Sequence, residues 1–145
     1  MARILADLND SRSFAGELAA KLGPKTILNL SGPMGAGKTQ LTQFIVEALG
    51  GAETASPSFA IHNSYAVNGF TVEHFDLFRI ESVDDLESTG FWDVFSNSNG
   101  LIIIEWSNKL DEFGVDGALP RSWRRIDIEL SVDGNQRWAS IKPPL

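Results

Sequence analysis

The stretch Thr26-Ile27-Leu28-Asn29-Leu30-Ser31-Gly32-Pro33-Met34-Gly35-Ala36-Gly37-Lys38-Thr39 decides how the rest of this chain is read. Residues 26–30 form an apolar run that predicts a buried β-strand. Residues 32–39 then fit the pattern G-x-x-x-x-G-K-[ST], and from Gln40 onward Leu41, Phe44, Ile45, Ala48 and Leu49 fall on one face of a helix. Strand, glycine loop and helix in that order separate a phosphate cradle from a glycine turn that merely precedes a lysine.

The chemistry explains the spacing. A loop wrapped around a polyphosphate turns its backbone N–H groups inward and admits oxygens where a Cβ would clash, and glycine permits both. The following helix aims its free N–H groups and positive dipole end at the phosphates. Lys38 supplies a mobile cation for the β- and γ-phosphates, and Thr39 a hydroxyl for Mg²⁺. The binding segment is therefore Gly32, Pro33, Met34, Gly35, Ala36, Gly37, Lys38, Thr39 and Gln40.

With 145 residues the chain is expected to form one domain around one core, with no room for a second catalytic unit. A net charge of −7 argues against a protein that neutralises nucleic-acid phosphates with its own surface. The basic cluster Arg121, Arg124 and Arg125 runs into Asp127 and Glu129, which fits a solvated strand edge better than an RNA contact. There is no cysteine, no apolar stretch of membrane-spanning length and no signal-like N-terminus, so the expected location is the cytoplasm, away from any membrane.

Outside the loop, Asp10 or Ser11 is expected to cap a helix burying Phe14, Leu18, Ala19 and Leu22 and closed by Gly23-Pro24. Asn68-Gly69 between the alternating segments 61–67 and 70–75 predicts an antiparallel hairpin. Ser82-Val83-Asp84-Asp85 resembles a capping box, opening a short helix that ends by Gly90. Leu101-Ile102-Ile103-Ile104 is wholly apolar, the mark of a strand covered on both faces. Segments 125–130 and 136–141, joined through Asp133-Gly134, read as edge strands.

Hydrolysis or transfer needs an acid at a neighbouring strand end. Glu105 ends the apolar run 101–104, so its carboxylate is expected at the carboxyl edge of the sheet beside the loop, where open α/β sheets bind ligands. Asp76 ends the strand 72–75 and is the second candidate, against the alternative of a turn acid. His74 reads as a satisfied structural histidine before a ligand, and Trp106 either covers the nucleotide site or caps the core. Asn108-Lys109-Leu110-Asp111 matches the N-K-x-D that reads guanine in GTPases. The only D-x-x-G, Asp111 to Gly114, begins inside that match instead of preceding it, so the likeness is one of chance.

Taken in order, Gly35-Ala36-Gly37-Lys38-Thr39, Ser56-Pro57-Ser58-Phe59, His74-Phe75-Asp76-Leu77-Phe78-Arg79 and Ile104-Glu105-Trp106 closely resemble the TsaE (YjeE) family. These are bacterial P-loop ATPases of tRNA threonylcarbamoyladenosine (t6A) synthesis. The resemblance implies a three-layer α/β/α sandwich with a mixed sheet, here including the hairpin. It implies ATP and Mg²⁺ as ligands, and hydrolysis coupled to a complex with the threonylcarbamoyl-transferase subunit TsaD and its paralogue TsaB. That complex modifies adenosine 37 of tRNAs reading ANN codons, so tRNA is met only indirectly.

By the same resemblance Thr39 is the hydroxyl ligand of Mg²⁺, Glu105 the acid of the Walker B position and Asp76 the second acid, both also metal ligands. With Lys38 they form the catalytic set. Ser58 stands where the family usually has the threonine of a Ser-Pro-Thr switch, keeping the hydroxyl and losing a methyl. Arg137 and Asp10 resemble residues that lie by the nucleotide. Pro33-Met34 replaces the more usual Asp-Leu, removing an acidic side chain and one N–H. Two other functions fit a compact P-loop protein: a small-molecule kinase, for which 50–80 offers Arg79 alone as acceptor-binding cation, and a nucleotide-dependent interaction module without turnover.

Overall fold

The computed structural model describes residues 2–51 and 61–143. Seven strands form one mixed sheet in the order β1-β7-β6-β2-β5-β4-β3. In chain order these are β1 (Ala2–Leu5), β2 (Thr26–Ser31), β3 (His62–Val67), β4 (Phe70–Asp76), β5 (Leu101–Glu105), β6 (Arg124–Asp133) and β7 (Gln136–Lys142). The four strands β6, β2, β5 and β4 are parallel, β7 and β3 are added antiparallel to them, and β1 pairs antiparallel with β7.

Helices α1 (Leu8–Ala19) and α2 (Lys38–Ala48) bury Phe14, Leu18, Leu41, Phe44 and Ile45 against Leu28, Leu30, Ile103 and Ile128 on one face of the sheet. Three short helices, α3 (Val83–Ser88), α4 (Phe91–Asn97) and α5 (Asn108–Glu112), cover the other face. Their Leu86, Phe91 and Leu110 join Ile27, Phe75, Ile102 and Ile104. Because β5 is covered on both faces, all of Leu101–Glu105 is buried, which is why its sequence shows no alternation. The three-layer sandwich and the Asn68-Gly69 hairpin are as expected, with Tyr65 paired to Val72 and Val67 to Phe70.

Three expectations need correction. The N-cap of α1 is Asp7, not Asp10 or Ser11: its carboxylate accepts the Asp10 N–H at 2.9 Å, and Asp10 in turn accepts the Ala6 N–H at 2.8 Å. Asp10 thus reaches back past the N-cap to the residue before it, a variant of the capping box, whose return bond goes to the N-cap itself. Ser82 and Asp85 repeat the device at α3, where Ser82 Oγ accepts the Asp85 N–H and Asp85 accepts that of Glu81. Second, neither 125–130 nor 136–141 is an edge: β6 lies between β7 and β2, and β7 is covered by β1. The alternation of β6 reports one open face of the sheet rather than a missing neighbour. Third, Val46 rather than Ala48 turns inward on α2.

Candidate nucleotide site

Strand β2 delivers the chain to Gly32, whose φ of 141° and position leave no room for a side chain. An added Cβ would lie 2.3 Å from the Leu130 carbonyl oxygen of β6. The loop ends at Gly37, the N-cap of α2, whose left-handed φ of 98° lets helix N–H groups face outward with no side chain competing for them. Lys38 is buried in the first turn. Its Nζ donates to the carbonyls of Gly32 at 2.6 Å and Pro33 at 2.9 Å, and stands 4.0 Å from the Trp106 ring centroid. Burial pushes its pKa below the ordinary value, partly offset by the negative charges of Glu105 and Asp76.

At the end of β5, Glu105 is 1% exposed and both carboxylate oxygens are engaged. Oε1 accepts the Thr39 hydroxyl at 2.9 Å, and Oε2 shares a hydrogen bond with Nε2 of buried His74 on β4. His74 is therefore satisfied, by the carboxylate at the centre of the site. Asp76 closes β4 in register with Glu105. Burial raises its carboxyl above the usual range, opposed by the Phe78 N–H that Oδ1 accepts at 3.1 Å and reinforced by the charge of Glu105. These groups surround a cavity of about 400 Å³. Met34, Gly35, Gly37, Lys38, Thr39 and Gln40 form one wall, and Asp76, Phe78, Arg79, Glu105 and Trp106 another.

Of the expected binding residues, Gly32, Pro33 and Ala36 shape the loop without lining the cavity, and Ser58 lies outside the described residues. Asp10 and Arg137 do not line it either. The Asp10 carboxylate holds the Ala6 N–H, and Arg137 sits on β7, paired with Leu5 and Val132 with β6 between it and the loop strand. Trp106 meets both readings: it packs against the core of the second face and lines the cavity, with its ring by Lys38 and Phe78 and its backbone at a φ of 59°. In the N-K-x-D stretch, Lys109 donates to the Phe78 and Ile80 carbonyls, and Asn108 and Asp111 line a separate polar cleft. Sequence reasoning left Arg79 out of the site, although it stands three residues beyond the strand-terminal Asp76.

A family model described as "Threonylcarbamoyl adenosine biosynthesis protein TsaE" matches residues 5–139. The chain belongs to the TsaE family. A protein of Rickettsia felis named "tRNA threonylcarbamoyladenosine biosynthesis protein TsaE" is 35% identical over 140 residues, covering 95% of this chain and 77% of its own length. A TsaE of Bacillus subtilis is 32% identical over 125 residues, covering 86% and 74%. The crystal structure of YdiB of the same bacterium superposes with a TM-score of 0.71 at 22% identity, over 97% of this chain and 83% of that one, a likeness of fold. The TsaE family is part of t6A biosynthesis, and its loop here is that of a P-loop nucleotide-binding protein. Among the described residues no helix is long and apolar enough to cross a membrane.

Proposed function

We propose that this chain is a cytoplasmic ATPase, one P-loop domain over residues 1–145, that hydrolyses ATP within the complex that threonylcarbamoylates adenosine 37 of tRNAs reading ANN codons. Its partners there are a TsaD-like threonylcarbamoyl transferase subunit and a TsaB-like paralogue. The observation that carries this reading is the 2.9 Å hydrogen bond from Thr39 to Glu105, which joins the phosphate loop to a strand-end acid.

Magnesium suits the donor set. The Thr39 hydroxyl and the carboxylates of Asp76 and Glu105 are hard oxygen ligands, and no group of three His, Cys, Asp or Glu residues fit to cage a metal occurs among the described residues. That matches an ion that keeps waters and takes further oxygens from phosphates. When bound, it neutralises charge on the β- and γ-phosphate oxygens.

The chain's own residues do the rest. The loop N–H groups and the α2 N-terminus hold the phosphates, and Lys38 exchanges its loop carbonyls for phosphate oxygens. His74 fixes the orientation of Glu105, which orients the attacking water. The water oxygen bonds to the γ-phosphorus as the bond to the β–γ bridging oxygen breaks, giving ADP, inorganic phosphate and a released proton. A net charge of −7 favours protein partners over direct tRNA contact.

The test is ATP turnover of the purified protein, alone and with the TsaD-like and TsaB-like subunits. Slow hydrolysis that rises with the partners is expected. A phosphorylated metabolite formed in step with ADP would make the chain a kinase, and no hydrolysis even in the complex would make it an interaction module.

A further inference from the structure

We infer that Arg79 is the cation this chain supplies to the transferring phosphoryl group, and that Lys109 is the positioning residue that aims it; the inference rests on the cavity being an ATP site. The turn after β4 is fixed at several points. Asp76 Oδ1 accepts the Phe78 N–H at 3.1 Å, and the Ile80 N–H donates to the Leu77 carbonyl at 3.0 Å. Leu77 and Ile80 are buried in the core, and the Phe78 ring packs 5.0 Å from Trp106. From α5, Lys109 Nζ then donates to the carbonyls of both Phe78 and Ile80, each at 2.8 Å.

One ammonium therefore holds the carbonyls of the two residues that flank Arg79, and Arg79 lines the cavity. Among the described residues no carboxylate forms an ion pair with it. The other cation lining the cavity, Lys38, enters from the loop wall. Two cations brought to one cavity from different segments of the chain suit a group that gains negative charge as the γ-phosphorus to bridging-oxygen bond breaks and water adds. Guanidinium also offers planar, paired donors to phosphate oxygens that an ammonium lacks.

The experiment compares wild type, Arg79→Ala, Arg79→Lys, Lys109→Met and the Arg79→Ala/Lys109→Met double variant. Each is titrated with Mg·ADP and with Mg·ADP plus aluminium fluoride, and assayed for turnover in the partner complex. Arg79→Ala should leave ADP affinity within a fewfold of wild type, lose most of the affinity gained from aluminium fluoride, and lower kcat by ~10³-fold with little change in KM, the lower end for a transition-state arginine. Arg79→Lys should recover little. Lys109→Met, which keeps the stem and loses the donors, should cost up to ~10²-fold in kcat, the scale of a misplacement of about 1 Å. The double variant should be no worse than Arg79→Ala, because the two residues act as one device. Full aluminium fluoride affinity and turnover in Arg79→Ala overturns the assignment while leaving the ATP site intact, and additive losses in the double variant reduce Lys109 to a stabilising role. A wild type that binds neither ligand overturns the ATP site itself and this inference with it.

Discussion

The hydroxyl of Thr39 in the first turn of α2 donates to Oε1 of Glu105 at the end of β5 across 2.9 Å. One bond thus connects the P-loop to the acid proposed to act in hydrolysis, and the remaining oxygen of that acid is held by His74. Replacing Glu105 by glutamine keeps the shape and an acceptor for Thr39 while removing the charge. Glu105→Gln is expected to bind ATP normally and to hydrolyse it at least ~100-fold more slowly, the scale for losing a positioned acid or base. An unchanged turnover rate in the partner complex would move the role to another residue.

Lys38 donates to two carbonyls of its own loop, those of Gly32 and Pro33, and is the cation that the loop itself contributes. Lys38→Ala should weaken ATP binding by well over tenfold, at least about 1.4 kcal/mol. Calorimetric titration of wild type and variant reads this directly, and equal affinities would show that the backbone cradle alone suffices.

Burial raises the Asp76 carboxyl above its ordinary value of 3.8, so the folded state holds this proton more tightly than the unfolded chain does. The stability so contributed is complete below pH 3.8 and is lost as the pH rises through the raised folded value. At neutral pH the ionised carboxylate carries a burial penalty that the Phe78 N–H, His74 and Lys38 only partly offset, and Asp76→Asn removes it while keeping an acceptor for the Phe78 N–H. The variant should melt higher than wild type at pH 7 without nucleotide, with the difference closing toward pH 4. A lower melting temperature at pH 7 would mean that the carboxylate is stabilised where it stands.

Gly32→Ala places a methyl group 2.3 Å from the Leu130 carbonyl oxygen at a φ of 141°. Strain of this kind costs roughly 1–3 kcal/mol. A lowered urea midpoint is expected even without ligand, and an unaltered midpoint would require β2 and β6 to separate locally at no cost.

The last expectation concerns partners. With a net charge of −7, the isolated chain should bind tRNA no more tightly than ~10⁻⁴ to 10⁻⁶ M at physiological salt. It should join the TsaD–TsaB pair more tightly with an ATP analogue than with ADP, since only a difference between nucleotide states lets hydrolysis drive a cycle. Equal sedimentation of the complex with both nucleotides would remove that mechanism.

The fold was legible wherever local chemistry and burial point the same way. The 26–39 stretch carries its own geometry, Asn68-Gly69 dictates a hairpin, and the unbroken apolar run before Glu105 reports a strand covered on both sides. Strand β1 was missed because four residues give too little periodicity, and α4 because Phe91, Trp92 and Phe95 pack mainly on one another and on Trp123 rather than as a helical stripe. The neighbours of β6 could not be read from its alternation, since a half-open face and a free edge look alike in sequence. In the site, Glu105 and Asp76 were visible as strand ends. The turn that carries Arg79 was not, because its clamp, Lys109, comes from a helix 30 residues later that the N-K-x-D likeness obscured.

Strand β2 lies between β5 and β6, pairing Thr26 with both Leu101 and Arg124. During synthesis, then, the strand that carries the phosphate loop emerges early and has neither of its hydrogen-bonded neighbours until the last third of the chain has followed. Such distant pairings close late and slowly. The nascent loop is therefore expected to have no affinity for nucleotide while the ribosome is still translating its two flanking strands, so ATP cannot guide the early collapse and can stabilise only a sheet that has already closed around it.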